Sequence, residues 1–175
     1  SNVMALMAQG LADLGFIGGA EVDRHGNLNT SYIGDRARPA VKLPGSGGGA
    51  DIAILSRRWV TLMNHEKRRL VERVSYVTSP GHGDGSPGWR AHHGLLGGGP
   101  AAIVTTLAVF RFPPGGSEAE LASVHPGHTV DEVSAQTGWE VKVAAGCGET
   151  APPTTAELEQ IRSLDPEGFW TRGGE

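Results

Sequence analysis

The residues best placed to do chemistry are Pro44-Gly45-Ser46-Gly47-Gly48-Gly49-Ala50-Asp51-Ile52-Ala53, four glycines within five positions that run straight into an apolar, helix-compatible stretch. Glycine has no Cβ, so such a run lets bare backbone amides approach a ligand. A helix starting near Gly48 would leave its first N–H groups without intrahelical partners and would add its dipole, making a cradle for an anion. Two chemistries use a cradle of this kind: phosphate binding, and stabilisation of the oxyanion formed in acyl transfer. A P-loop needs Lys and Ser or Thr at the helix start, where Ala50 and Asp51 stand instead. A dinucleotide fingerprint is met formally by Gly45-x-Gly47-x-x-Ala50, with Glu66 at a suitable distance beyond. That fingerprint should follow a buried apolar strand, however, and Lys42 and Pro44 interrupt Ala40-Val41-Lys42-Leu43-Pro44. A solvated glycine loop with no ligand is the other reading, and the glycine run alone leaves it open.

Other clusters carry less. His82, Asp84, His92 and His93 are residue types that bind zinc or iron, but adjacent histidines point apart on a helix or a strand, so no metal site is expected. Ser79 and Ser86 lack the strand-elbow-helix setting of a hydrolase nucleophile. His65-Glu66-Lys67-Arg68-Arg69 reads as a solvated, self-paired face, with a phosphate contact as the alternative. Cys147, between Gly146 and Gly148, reads as an inert thiol.

These residues need elements to position them. The 175 residues suffice for one domain with a core, and a hydrophobic content of 38% is ordinary for a globular protein. A net charge of -4 gives no electrostatic footprint for nucleic acid or an acidic membrane surface. One cysteine excludes an internal disulfide framework and fits a reducing compartment. No apolar run long enough to span a membrane and no leader-like start is present, so a cytoplasmic location is expected. The apolar opening Val3-Met4-Ala5-Leu6-Met7-Ala8 reads as a helix already facing a core, as in a fragment or processed chain.

The pattern predicts a helix from Asn2 to about Ala12, a strand over Leu14–Ala20, and an extended segment from Leu28 to Ile33 that forms a hairpin with it. A short helix over Ala50–Leu55 and a strand over Trp59–Met63 follow, whereas residues 66–76 fit a helix or an extended edge equally. Ser79 to Gly88 begins a long Gly/Pro loop that extends to Pro100. Strands are expected over Ala102–Thr106, Val109–Phe112, Leu121–Val124 and Glu140–Val143. Helices are expected over Val130–Gln136 behind a Thr129 cap, and over Ala156–Leu164 behind Thr154 or Thr155. Such alternation means an α/β fold with a sheet covered on at least one face.

Several strings resemble the β subunit of family I coenzyme A transferases, the glutaconate type above all. They are Phe16-Ile17-Gly18-Gly19-Ala20-Glu21-Val22-Asp23, Gly26-Asn27-Leu28-Asn29, Ile33-Gly34-Asp35, Pro44-Gly45-Ser46-Gly47-Gly48, His65-Glu66-Lys67-Arg68-Arg69, Tyr76-Val77-Thr78-Ser79-Pro80-Gly81, Thr137-Gly138 and Ile161-Arg162-x-Leu164-Asp165-Pro166. The resemblance implies a three-layer α/β/α open sheet, with residues 1–175 as a single domain forming the C-terminal two-thirds of that subunit. It implies pairing with an α subunit, a coenzyme A thioester as substrate rather than a resident cofactor, and small (di)carboxylic acids as acyl partners. The family transfers coenzyme A through a glutamate that becomes a glutamyl-CoA thioester. Its G-x-G-G loop falls on Gly45, Gly47 and Gly48, so the amides of Gly47 and Gly48 become the expected oxyanion hole. Gly45, Ser46, Ser79, Pro80 and Gly81 are the expected substrate contacts. The family's glutamate lies upstream of the Phe16–Gly19 strand, in a segment expected to precede Ser1, and no glutamate here matches its motif. Relatives of this fold that lack that glutamate hydrolyse or decarboxylate CoA esters, and the strings quoted do not separate these activities.

Overall fold

A computed structural model of the chain describes residues 2–170. In chain order the elements are α1 (Asn2–Ala8), β1 (Leu14–Ile17), β2 (Glu21–Val22), β3 (Leu28–Asn29), β4 (Tyr32–Gly34), β5 (Pro39–Lys42), α2 (Gly49–Leu55), β6 (Arg58–Met63), α3 (Trp89–His92), β7 (Pro100–Thr105), β8 (Ala108–Arg111), β9 (Glu120–Val124), α4 (Val130–Ala135), β10 (Lys142–Glu149) and α5 (Thr155–Leu164). One six-stranded sheet runs in the order β1-β6-β7-β8-β9-β10. Its β1/β6, β6/β7 and β9/β10 pairs are parallel and its β7/β8 and β8/β9 pairs antiparallel, so the fold is mixed α/β with a mostly parallel sheet flanked by helices.

The helix α1 stops four residues earlier than expected. Gly10 takes a φ of 74°, Leu11 N donates to Leu6 O at 3.0 Å and Gly10 N to Met7 O at 2.9 Å, the paired bonds of a left-handed helix stop. The expected hairpin also forms differently. β1 pairs in parallel with β6, and the ribbon after it makes two small hairpins, β2 with β3 and β4 with β5. Residues 66–76 are neither a helix nor an edge strand; they hold Leu70 and Val74 in the core and bridge Leu70 to Val22. The last strand begins at Lys142, not Glu140, and continues to Glu149, because a register irregularity between Val143 and Gly148 lets the glycine-containing stretch rejoin β9.

The core is one cluster in which Trp59, Ile103, Phe110, Leu121 and Val133 are fully buried, with Leu28, Val22 and Leu70 sealed against it from the hairpin side. Alternation in β6 follows from this, since Trp59 and Thr61 face inward while Arg58 and Leu62 are exposed. Thr129 caps α4 by accepting from Glu132 N, and Thr154 closes a capping box with Glu157 on α5, which pulls the Glu157 carboxyl below its ordinary range. Among the described residues no helix is long and apolar enough to cross a membrane.

Glycine fixes how α2 lies on the sheet. A Cβ at Gly15 would collide with the Ile52 side chain and stand 2.9 Å from Ser56 Oγ, so only glycine in β1 lets α2 approach this closely. At Gly81 a Cβ would collide with the backbone of His25 and Gly26, which cannot swing aside as a side chain does. Gly81→Ala is therefore expected to lower the melting temperature by roughly 5–10 °C, the cost of overpacking against fixed main chain, as measured by thermal unfolding followed by circular dichroism.

Candidate functional site

The β4/β5 hairpin delivers the glycine loop. Leu43 N donates to Ser31 O at 3.0 Å and Gly45 N to Thr30 O at 2.8 Å, so the ladder continues past β5 into the loop. There the chain turns through Gly45 (φ 96°) and Gly47 (φ 51°), with open space where a Cβ would stand; glycine is needed for backbone conformation, not for lack of room. Ser46 covers the start of α2: its carbonyl accepts from Gly49 N at 2.8 Å and its Oγ from Ala50 N at 3.2 Å. The amides of Gly47 and Gly48 donate to no acceptor among the described residues. The strand before the loop is exposed and antiparallel to β4, which removes the buried parallel strand that a dinucleotide fingerprint requires.

The loop sits at the carboxyl end of β1. A Cβ at Gly49 would stand 3.6 Å from Ile17 Cγ2 and 3.2 Å from Ser79 Oγ, and one at Gly48 2.9 Å from Met4 Cε of α1. Beside it opens a cleft of about 300 Å³ lined by Gly18, Gly19, Ala20, Thr30, Leu43, Pro44 and Gly45. No charged side chain lines it, so any polar recognition there falls to backbone groups and the Thr30 hydroxyl. The hydroxyls of Thr30 and Ser79 are both buried without a hydrogen-bond partner. The end of a parallel strand beside a helix start is where open α/β sheets place ligands.

Ser79-Pro80-Gly81, expected as a loop facing substrate, forms part of the framework. Ser79 is fully buried and exchanges backbone bonds with Leu28, Ser79 N to Leu28 O at 3.1 Å and Leu28 N to Ser79 O at 3.0 Å. The carbonyls of Pro80 and Gly81 accept from Arg90 Nη1 at 2.9 and 3.0 Å, while Arg90 Nη2 reaches Ala53 O at 2.9 Å and Leu96 O at 2.8 Å. Burial without a carboxylate partner holds the Arg90 pKa below its ordinary value. From this segment the Ser79 hydroxyl stands against the glycine loop, 3.2 Å from where a Cβ of Gly49 would lie. Sequence reasoning missed Arg90, Thr30 and the Gly18-Gly19-Ala20 wall. The glycine pair after an apolar strand was a usable signal for the wall, whereas nothing in the letters marks a buried arginine.

Two buried carboxylates brace the ribbon. Glu21 accepts from Asn29 Nδ2 at 2.7 Å, Ser75 N at 2.8 Å and Ser75 Oγ at 3.0 Å. Asp23 accepts from the amides of His25 and Asn27 and from the Asn27 side chain, and burial outweighs these bonds to push its pKa up. Asp23 also lines a larger hollow of about 650 Å³ with His25, Arg73, Asp84 and Trp89, which shares no residue with the glycine-loop cleft.

The remaining candidates disperse. His65 is buried rather than solvated, with Nδ1 2.9 Å from Thr105 Oγ1, and burial lowers its pKa. Arg68 and Arg69 both pair with Glu66, which drops the Glu66 carboxyl below its usual range. His93 stacks on Trp89 with ring centroids 4.1 Å apart, while His82 packs on Phe112 at 5.2 Å, so these histidines do not converge. Among the described residues no three His, Cys, Asp or Glu side chains form a metal-binding group.

The signature of the coenzyme A transferase family matches residues 2–136. The chain belongs to this family. It is 42% identical over 156 residues to one of the subunits of the 3-oxoadipate CoA-transferase of Pseudomonas knackmussii, covering 89% of this chain and 60% of that one. It is 33% identical over 162 residues to the cholesterol ring-cleaving hydrolase IpdB subunit of Rhodococcus jostii, covering 89% and 61%. The crystal structure of glutaconate coenzyme A-transferase from Acidaminococcus fermentans superposes with a TM-score of 0.82 at 36% identity, over 92% of this chain and 62% of that one. The chain thus spans about three fifths of the length of the relatives it matches.

Two measurements test this geometry. Ser79→Ala removes a buried hydroxyl with no partner, so the free energy of unfolding is expected to stay within about 1 kcal/mol of wild type or to rise, and a drop in turnover then reports that this hydroxyl positions the glycine loop. His82 has its pKa lowered from 6.5 to about 4, by burial first and then by the Arg90 and His25 charges. The neutral ring is favoured in the folded state, so its contribution is full above pH 6.5 and is lost as pH falls toward 4, because only the unfolded chain takes up the proton. Urea unfolding at pH 7.5 and 5 is expected to show lower stability at pH 5, and His82→Gln is expected to flatten that difference.

Proposed function

We propose that this chain forms the coenzyme A ester site of a transferase that moves coenzyme A between small carboxylic acids, dicarboxylic acids included, and that it does so with an α-type partner subunit. The observation that carries this reading is the pair of unspent amides at Gly47 and Gly48, beside an uncharged cleft at the carboxyl end of β1. The 42% identity to a 3-oxoadipate CoA-transferase subunit supports it. In this reading a glutamate carboxylate, reaching the cleft from outside residues 1–175, attacks the thioester carbonyl. The carbonyl oxygen takes up negative charge and is held by the two amides. The carbon–sulfur bond breaks to give a glutamyl-acyl anhydride and the coenzyme A thiolate. Attack of that thiolate on the glutamyl carbonyl forms glutamyl-CoA and releases the first acid as its carboxylate; a second carboxylate reverses both steps. Gly45 and Ser46 hold the loop open toward the acyl group, and Ser79 stands behind it.

A second reading, hydrolysis of a CoA-linked ring, is favoured by the 33% identity to the ring-cleaving subunit. The two separate on one dependence: transfer needs a second carboxylate and yields a new thioester, whereas hydrolysis does not. Initial rates with an acyl-CoA donor and varied acceptor acids, in the enzyme assembled with its partner subunit, are expected to follow ping-pong kinetics. Gly48→Pro deletes one donor amide and is expected to lower kcat about 10²–10³-fold. A folded variant with wild-type kcat would remove Gly48 from the oxyanion hole.

A further inference from the structure

The β4/β5 hairpin is the most cationic part of the ribbon that leads into the glycine loop. Arg36, Arg38 and Lys42 are all exposed, and none of them pairs with a carboxylate among the described residues. The one acid in the hairpin, Asp35, is occupied by its own turn, accepting from Ala37 N at 2.7 Å and Arg38 N at 3.2 Å. This contrasts with Arg68 and Arg69, which share Glu66. In a chain of net charge -4, three unpaired cations on one hairpin are a local reversal of sign. Lys42 lies directly opposite Tyr32, so both side chains share a face, and Tyr32 packs on Tyr76 with ring centroids 5.1 Å apart. Tyr76 is 43% exposed and offers an aromatic surface of the kind on which a purine stacks.

The hairpin and the glycine loop form one continuous ribbon through the Ser31–Leu43 and Thr30–Gly45 bonds. Lys42 precedes Gly47 by five residues, at most roughly 17 Å of extended chain. A coenzyme A thioester has the same polarity along its length: a neutral acyl end, an extended pantetheine arm, then a diphosphate, a 3′-phosphate and adenine. We infer that the β4/β5 hairpin is the nucleotide subsite for the coenzyme A thioester, with Arg36, Arg38 and Lys42 meeting the phosphates and Tyr76 the base. This inference rests on the proposed transferase reading. It assigns the acyl end to the uncharged cleft and the anionic end to the hairpin, so that one ribbon holds both ends of the ligand.

Adenosine 3′,5′-bisphosphate carries the nucleotide end without the thioester and serves as the probe. Calorimetric titration into the protein purified with its partner subunit is expected to show binding that weakens about tenfold in R36Q/R38Q/K42Q and survives in R36K/R38K/K42R. The difference between wild type and the glutamine variant should shrink as salt rises, because exposed charges are screened. Thioester exchange is measured in parallel on the wild type. Exchange-competent protein whose bisphosphate affinity is the same in wild type and the glutamine variant would overturn the hairpin subsite alone. Wild-type protein that neither binds the probe nor exchanges thioesters would overturn the subsite together with the reading it rests on.

Discussion

The arrangement of the site depends on a buried cation. Arg90 is 6% exposed and meets no carboxylate; its guanidinium is divided among the carbonyls of Ala53, Pro80, Gly81 and Leu96. Ala53 lies in the second half of α2, where helix carbonyls run out of intrahelical partners and the dipole favours positive charge. One side chain therefore tethers the helix behind the glycine loop to the Pro80-Gly81 turn and to the chain entering β7. Desolvating a guanidinium is costly, and four carbonyl dipoles offset that cost only while all three segments stay in place. Gly15 and Gly81 complete the constraint, since each allows an approach that a Cβ would block.

Within this frame, charge is kept out of the cleft and dipoles are brought to it. Leu43, Pro44 and the glycines form its walls, the Ser46 carbonyl and hydroxyl occupy the amides of Gly49 and Ala50, and the two amides before them stay free. A developing oxyanion in uncharged surroundings gains more from fixed amides than it would in water, and fixed amides need no reorganisation as the charge appears. The division matches the ligand chemistry proposed above, in which the reacting carbonyl becomes charged only transiently whereas the phosphates are charged throughout.

Much of this was legible in the letters. The glycine run marked the start of α2 to within one residue, and Thr129 and Thr154 marked two further helices, because capping and glycine conformation are local effects. What was not legible depended on contacts distant in sequence. The strand from Leu14 reads as one arm of a hairpin with the Leu28–Ile33 segment, and its parallel pairing shows only when β6 lies beside it. Ser79 looks like a loop serine until Leu28 closes over it, and Lys67-Arg68-Arg69 looks like the basic cluster because its charges adjoin, although Glu66 offsets two of them. The unpaired cations of the hairpin are spaced along a turn and a strand, so no run of letters announces them. The family resemblance, carried by ordered strings rather than single residues, was matched over residues 2–136.

The open space at Gly45 and Gly47 has a stereochemical consequence. Both positions turn the loop through positive φ, a region that L-residues enter at a cost of about 1–2 kcal/mol and that their mirror images prefer. With nothing within 4 Å of the positions a side chain would take, the native backbone is achiral by composition at its two turning points but handed in its conformation. A D-alanine introduced there by semisynthesis would match that hand, leave every amide of the cradle intact and narrow the unfolded ensemble. The loop can thus be stiffened by adding a stereocentre of D configuration, a change unavailable to the genetic code; among the encoded residues glycine is the one that takes both turns without strain.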